Sequence, residues 1–111
     1  MSTSEERLAV ISQNYKDALE NEPHDLSRAS TPSEVTGILA NVSSARETYY
    51  TAVAAAVTNT TGQVEVAYNS AKDAQKAVKD ARAKAAQIPD IINKLKSATQ
   101  TATELLNVAK K

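Results

Sequence analysis

The sequence of 111 residues contains no cysteine, tryptophan or phenylalanine, and it has only two glycines, three prolines and one histidine. Without cysteine the chain can form neither a disulfide framework nor a thiolate metal site. No second histidine completes a ligand set around His24, and no Glu-x-x-His pair of the kind that builds di-metal sites in helical bundles is present. We find no nucleophile paired with a base and no glycine-rich phosphate loop. The sequence therefore predicts a protein that is not an enzyme, with no catalytic residue, no metal and no cofactor.

The charged residues balance, with 13 basic and 13 acidic side chains, so no global field would attract nucleic acid. Their distribution is uneven. Residues 1–62 hold four basic and eight acidic side chains, a net charge of −4, whereas residues 63–111 hold nine and five, a net charge of +4. Halves of opposite sign attract each other within one chain or between two.

Neither a secretory signal nor an apolar run long enough to span a membrane is found in the sequence. We therefore expect a cytoplasmic protein, with export by a signal-free route left open.

The abundance of Ala, Lys, Glu, Asp and Gln together with the scarcity of glycine predicts an almost wholly helical chain. The stretch 64–87 has neither Gly nor Pro, and small apolar residues recur in it at alternating steps of three and four. This spacing is typical of a packing seam, the apolar stripe along which one helix packs on another, and small side chains allow close approach. The predicted interface comprises this seam with Tyr50 and Val57; the seam residues are Val64, Ala67, Ala71, Ala74, Val78, Ala81 and Ala85.

The first helix is predicted over residues 4–21, and its predicted apolar stripe comprises Leu8, Ile11, Tyr15, Ala18 and Leu19. Ser2 with Glu5, and Thr3 with Glu6, both have the spacing of a capping box, in which each side chain bonds the backbone N–H of the other residue. Residues 22–31 contain Pro23 and several polar cap-forming residues, and they predict a connector.

The second helix is predicted over residues 32–58. Thr31 suits the cap, Pro32 suits the first helical position, and Glu34 is spaced to reach back to the cap. Asn59-Thr60-Thr61-Gly62 predicts a tight turn, with Thr60 and Gln63 spaced as a further capping box. The predicted inward stripe comprises Val35, Ile38, Leu39, Val42, Ala45, Tyr49, Val53 and either Ala56 or Val57.

The third helix is predicted over residues 63–109. Its apolar register continues without a slip across Pro89, which favours a kink in one long helix. The alternative is a corner at Pro89 followed by a separate fourth helix. The predicted fold is thus a single all-α domain over residues 1–111, an elongated antiparallel helical bundle or coiled coil of three to four helices with an Ala-rich seam.

The function that these features favour is a non-enzymatic structural protein that forms homo-oligomers through helical packing, as a component of a filament, shell or virion-type assembly. An alternative is a helical adapter or secretion-related module that binds another helical protein. The size and the predicted hairpin resemble small secreted helical-hairpin proteins, although the Trp-x-Gly turn of that group is replaced by Asn59-Thr60-Thr61-Gly62. A third possibility is surface coating by amphipathic helices, since the composition of residues 64–87 resembles that of phasin-like granule coats.

Overall fold

Residues 1–110, the part of the chain that the computed structural model describes, form four α-helices and no strand. They are α1 (Ser4–Arg28), α2 (Pro32–Ala55), α3 (Gly62–Ala83) and α4 (Ile88–Ala109). The helices pack into an all-α bundle with extents of 42 × 25 × 18 Å. The predicted fold class, a helical bundle of three to four helices, is confirmed.

Helices α1 and α4 form the centre of the bundle. Each of them contacts all three other helices, whereas the backbones of α2 and α3 do not approach each other. The order around the bundle is therefore α1, α2, α4, α3, so the face formed by α1 and α2 lies opposite the face formed by α3 and α4. Residues 7 and 15 contact residues 57 and 49, so α1 is antiparallel to α2. Residues 2 and 25 contact residues 65 and 82, so α1 is parallel to α3.

Helix α1 is longer than the sequence predicts. It continues through Pro23 to Arg28, so the connector expected over residues 22–31 shrinks to residues 29–31. A proline inside a helix costs about 3 kcal/mol, but the extra turns place Asp25 in a buried ion pair and pack Leu26 against the core. These tertiary contacts offset the cost of the proline. The capping box of Thr3 and Glu6 is confirmed, with hydrogen bonds of 3.1 and 2.9 Å.

The start of α2 agrees with the prediction. The Thr31 hydroxyl accepts a hydrogen bond from the Glu34 N–H at 3.1 Å, and Pro32 is the first helical residue. The Glu34 carboxylate bonds to the N–H of Ser30, one residue before the expected cap, at 2.7 Å. This contact is the main reason that the pKa of Glu34 is lowered.

Both ends of the linker between α2 and α3 differ from the prediction. Helix α2 ends at Ala55, three residues before the predicted end, and residues 56–61 form the linker. The cap of α3 is Thr61, whose hydroxyl accepts from the Val64 N–H at 3.2 Å, and not the predicted Thr60.

The predicted kink at Pro89 is wrong, and the alternative corner is present. Helix α3 ends at Ala83, and Pro89 lies in the first turn of α4, where its missing N–H costs nothing. The N–H of Ala86 bonds to the Ala81 carbonyl at 3.0 Å and that of Ala85 to the Arg82 carbonyl at 3.1 Å. These two bonds are the Schellman pattern that ends many helices, with Ala85 at φ 52° in the position usually held by glycine. Because glycine is absent there, the sequence lacks the usual local signal of a helix end.

The core is organised around α4 and not around the Ala-rich stretch that forms α3. Helix α3 buries Val64, Ala71, Val78 and Ala81. Helix α4 contributes ten buried residues, including most of the large aliphatic ones, because its contacts with the other three helices are the most extensive in the bundle. The buried residues of α4 are Ile88, Ile91, Ile92, Leu95, Ala98, Thr99, Ala102, Leu105, Leu106 and Ala109.

Replacing Ala56 with glycine is expected to stabilise the fold by about 1 kcal/mol. Ala56 is exposed at φ 61° and ψ 156°, a region that is essentially restricted to glycine. Relief of that strain exceeds the entropy that glycine adds to the unfolded chain, about 0.4–1 kcal/mol. Urea unfolding of Ala56→Gly and wild type measures the difference. The matched control is Ala54→Gly, inside α2, which should lose up to about 1 kcal/mol. A less stable Ala56→Gly would show that the backbone at this residue is not strained.

Candidate functional site

Most of the predicted interface residues are covered by the chain itself. Val64, Ala71, Val78 and Ala81 are buried in the two core clusters, and Ala67 and Ala74 pack partly buried against the same clusters. Val57 is buried in the linker before α3, and Ala85 is exposed in the linker after it. The seam thus packs α3 within its own chain. Any association between chains must use another surface. Self-association itself stays a prediction.

Tyr50 is the exception, because its side chain is 58% exposed. It lies in a cluster of aromatic rings on the outer side of α1 and α2. The ring of Tyr15 stacks on Tyr49 with centroids 5.9 Å apart, and it meets Tyr50 edge to face at 6.3 Å. Leu19 and Val53, also exposed, follow Tyr15 and Tyr49 by four residues in α1 and α2 and so lie on the same helix faces as those rings. We call this surface the tyrosine face; it comprises Tyr15, Leu19, Arg46, Tyr49, Tyr50 and Val53.

Arg46 contacts the Tyr15 ring of the tyrosine face. Its guanidinium lies 5.7 Å from the centroid of the Tyr15 ring, and its Nε donates a hydrogen bond of 3.2 Å to the Tyr15 hydroxyl. This hydrogen bond, with the nearby Tyr50 and Glu22, raises the pKa of Arg46 above its usual range. An arginine side chain is charged throughout the physiological pH range. Tyrosine and arginine are the residue types most enriched, with tryptophan, at the energetic centres of protein interfaces.

Sequence reasoning found only Tyr50 of the tyrosine face. Tyr15, Leu19 and Val53 recur at helical spacing, and this spacing places them on the predicted apolar stripes. It does the same for Leu39, which is 46% exposed. In a four-helix bundle each helix also touches its neighbour along an outer edge, and apolar residues at that edge satisfy the same period. The apolar period of a helix therefore does not distinguish residues at an outer edge from residues at the centre of the bundle.

A shallow groove of about 690 Å³ lies on the opposite side of the bundle, between α3 and α4. Its lining is mostly small and apolar, and Val66, one of the lining residues, is 69% exposed. We call it the α3–α4 groove. It is lined by Gly62, Gln63, Val66, Ala67, Ser70, Glu104 and Val108.

A buried polar layer crosses the centre of the bundle. The Thr99 hydroxyl accepts a hydrogen bond from the Asn14 amide at 3.1 Å and donates one to the Asn41 carbonyl oxygen at 2.6 Å. Since a buried polar group needs its partner, this layer favours one register of α1, α2 and α4. Among residues 1–110 the Asn41 amide nitrogen has no hydrogen-bond partner, and it lies beside a groove of about 400 Å³ between α2 and α4. The layer is a device for helix alignment.

The start of α1 is fixed by a buried arginine. Arg7 donates from Nε to the Val57 carbonyl at 2.8 Å and from Nη1 to the Ser2 carbonyl at 2.6 Å. Ser2 in turn donates from its backbone N–H and its hydroxyl to the two carboxylate oxygens of Glu65, at 2.7 Å each. These hydrogen bonds from Ser2, more than the charge of Arg7, lower the pKa of Glu65. The contacts join α1, the linker before α3 and the first turn of α3.

The lowered pKa of Glu65 predicts a specific loss of stability in acid. A carboxyl whose pKa is lower in the folded than in the unfolded chain stabilises the fold above its unfolded pKa, about 4.3, and this contribution disappears as the pH falls through the folded value. Melting temperatures measured from pH 6 down to pH 2 should therefore fall less steeply for Glu65→Gln than for wild type. Glu47→Gln, on the exposed side of α2, is the control. Parallel curves for wild type and Glu65→Gln would contradict the assignment.

The part of the chain that the structure describes contains neither a cluster of metal ligands nor a membrane-spanning helix. Among residues 1–110 no group of three or more His, Cys, Asp or Glu side chains is placed to hold a metal ion, and His24 is exposed. None of the four described helices has both the length and the apolar character needed to cross a bilayer.

These features define the class of the molecule: a four-helix bundle that covers its own Ala-rich seam and carries an aromatic cluster on one outer face. Comparison of the chain with protein-family models, with curated proteins and with solved structures found no match.

Proposed function

We propose that this protein is a non-enzymatic structural protein that associates with copies of itself, and that the tyrosine face mediates the association. The observation that carries the proposal is the exposed cluster around Tyr50. Three rings and two exposed aliphatic side chains are grouped on one face of a small bundle. Clustered aromatic surface with an arginine at its edge has the composition of an interface centre.

The burial of the seam within its own chain supports the tyrosine face as the surface of association. The sequence favours association through residues 64–85, but four of those residues are buried against α1 and α4. Association that leaves the fold intact must therefore use an outer face. The apolar area of the tyrosine face, where Tyr50, Val53 and Leu19 are between 40 and 58% exposed, makes it the strongest candidate.

A helical adapter is the second candidate, and the same observation favours it. A chain that covers its own core is stable alone, and its tyrosine face could dock a helix of a different protein. The two functions differ in what the purified chain does. The structural protein associates by itself, whereas the adapter stays a monomer until its partner is added.

Light scattering on a sizing column separates the two functions. We expect the mass of the purified protein to exceed 11.8 kDa and to fall on dilution, because association obeys mass action. Raising the salt concentration should also lower the mass, since the two halves of the chain carry opposite net charge. A mass of 11.8 kDa at every concentration and salt level would contradict self-association and favour the adapter.

A further inference from the structure

We propose that the contact between copies is head to tail: the side chain of Tyr50 of one copy inserts into the α3–α4 groove of the next. This inference rests on the proposed self-association and adds its geometry and the second surface. The contact joins two different faces and is therefore heterologous. A heterologous contact forms a ring if its rotation closes and an open filament if it does not.

The two surfaces differ in shape in the way that such a contact needs. The Tyr50 side chain projects from α2 with more than half of its surface exposed. The lining of the α3–α4 groove includes the small residues Gly62, Ala67 and Ser70 and contains no aromatic side chain. A ring buried there would remove apolar surface of both partners from water, and a buried aromatic side chain contributes the largest such area of any residue.

The two surfaces also lie at the same level along the bundle. The hydroxyls of Thr48 and Thr103 are 2.9 Å apart, and the hydrogen bond between Thr99 and Asn41 shows that α2 and α4 run in the same direction. Tyr50, two residues after Thr48, is therefore level with the end of α4 that lines the groove. The α1–α2 and α3–α4 faces are on opposite sides, because α2 and α3 are the outer helices of the bundle. A copy can therefore dock by sideways translation, without sliding along the helix axis.

Charge favours a contact between unlike faces over a contact between two tyrosine faces. The tyrosine face belongs to residues 1–62, with a net charge of −4, and the groove belongs to residues 63–111, with a net charge of +4. Like charges oppose a symmetric pairing of the acidic halves, and opposite charges attract in the head-to-tail pairing. Within the contact itself, Arg46 stands one turn before Tyr50 on α2, where its cation can meet the Glu104 carboxylate at the groove edge.

Mixing two variants tests the geometry. Tyr50→Ser removes the inserted ring, and Val66→Lys places a charged side chain at the groove; both positions are exposed, so the fold of each variant should persist, which circular dichroism verifies. Each variant alone is expected to associate at least tenfold more weakly than wild type. An equimolar mixture should form pairs of two chains and nothing larger, because one intact groove and one intact Tyr50 remain. Sedimentation velocity measures these masses.

The control variant is Leu39→Lys, which changes an exposed apolar residue outside both surfaces and should assemble as wild type does. If Val66→Lys also assembles like wild type while Tyr50→Ser does not, two tyrosine faces pair symmetrically and the head-to-tail geometry is wrong, although self-association stands. If both variants assemble normally, neither surface is used and the inference is wrong. If wild type itself stays monomeric at every concentration, the inference and the proposed function both fail.

Discussion

Replacing Arg82 with methionine is expected to destabilise the fold by about 3–5 kcal/mol, because it leaves the buried Asp25 carboxylate without its partner. The side chain of Asp25 is 1% exposed. Both of its oxygens accept hydrogen bonds from the Arg82 guanidinium, at 2.6 and 2.8 Å. This pair joins the last turns of α1 to the end of α3. Urea unfolding of Arg82→Met and wild type measures the loss.

Two further variants show that the loss arises from the unpaired carboxylate. Lys79→Met removes an exposed charge from the same helix and should change the stability by no more than about 0.5 kcal/mol. In Asp25→Leu/Arg82→Met both charges are removed, and the double variant should be more stable than Arg82→Met alone. If Arg82→Met unfolds at the same urea concentration as wild type, Asp25 is not buried as described.

The second large effect is expected at the centre of the core. Leu105→Ala should cost about 2–5 kcal/mol, the range for truncation of a large aliphatic side chain in a packed interior. Leu105 is fully buried on α4. It belongs to the core cluster that α1, α2, α3 and α4 share at the end of the bundle where α1 begins. Unfolding by urea, followed by circular dichroism at the helix band, measures the difference in free energy.

The matched control is Leu39→Ala, the same substitution at a side chain that is 46% exposed on α2. It should cost far less than Leu105→Ala, because little packed volume is lost there. Equal losses at the two positions would show that α4 does not hold the central place in the core that the structure gives it.

The sequence predicts the helical class well because composition and apolar period report directly on helices. The starts of α1 and α2 are predicted to within a residue, since Thr3 with Glu6 and Thr31 with Pro32 carry explicit capping chemistry. The ends of α1 and α3 are not predicted correctly. Pro23 is a breaker that long-range contacts of Asp25 and Leu26 outweigh, and the end of α3 uses Ala85 where a glycine would have been the local signal.

The candidate surface could be predicted only in part for a related reason. Periodicity reveals that a helix has an apolar stripe, but it does not reveal which neighbour covers the stripe. The residues of α3 read as an interface because nothing in residues 64–85 indicates that α1 and α4 of the same chain pack on them. The pairing of Tyr15 with Tyr49 joins residues 34 positions apart and depends on the antiparallel packing of α1 and α2. Contacts of this kind follow from the topology of the bundle, which local sequence does not encode.

Amide shifts followed by nuclear magnetic resonance during dilution of the wild-type protein test the central claim most directly. That claim is that the chain closes its own core and joins copies through outer faces. It predicts concentration-dependent shifts at residues 46–53 and 62–70, with the amides of Ala98 and Ala102, inside the core, unchanged. Spectra that are identical at all concentrations would contradict self-association. Shifts centred on the buried seam residues Ala71 and Val78 would contradict the assignment of the seam to the interior.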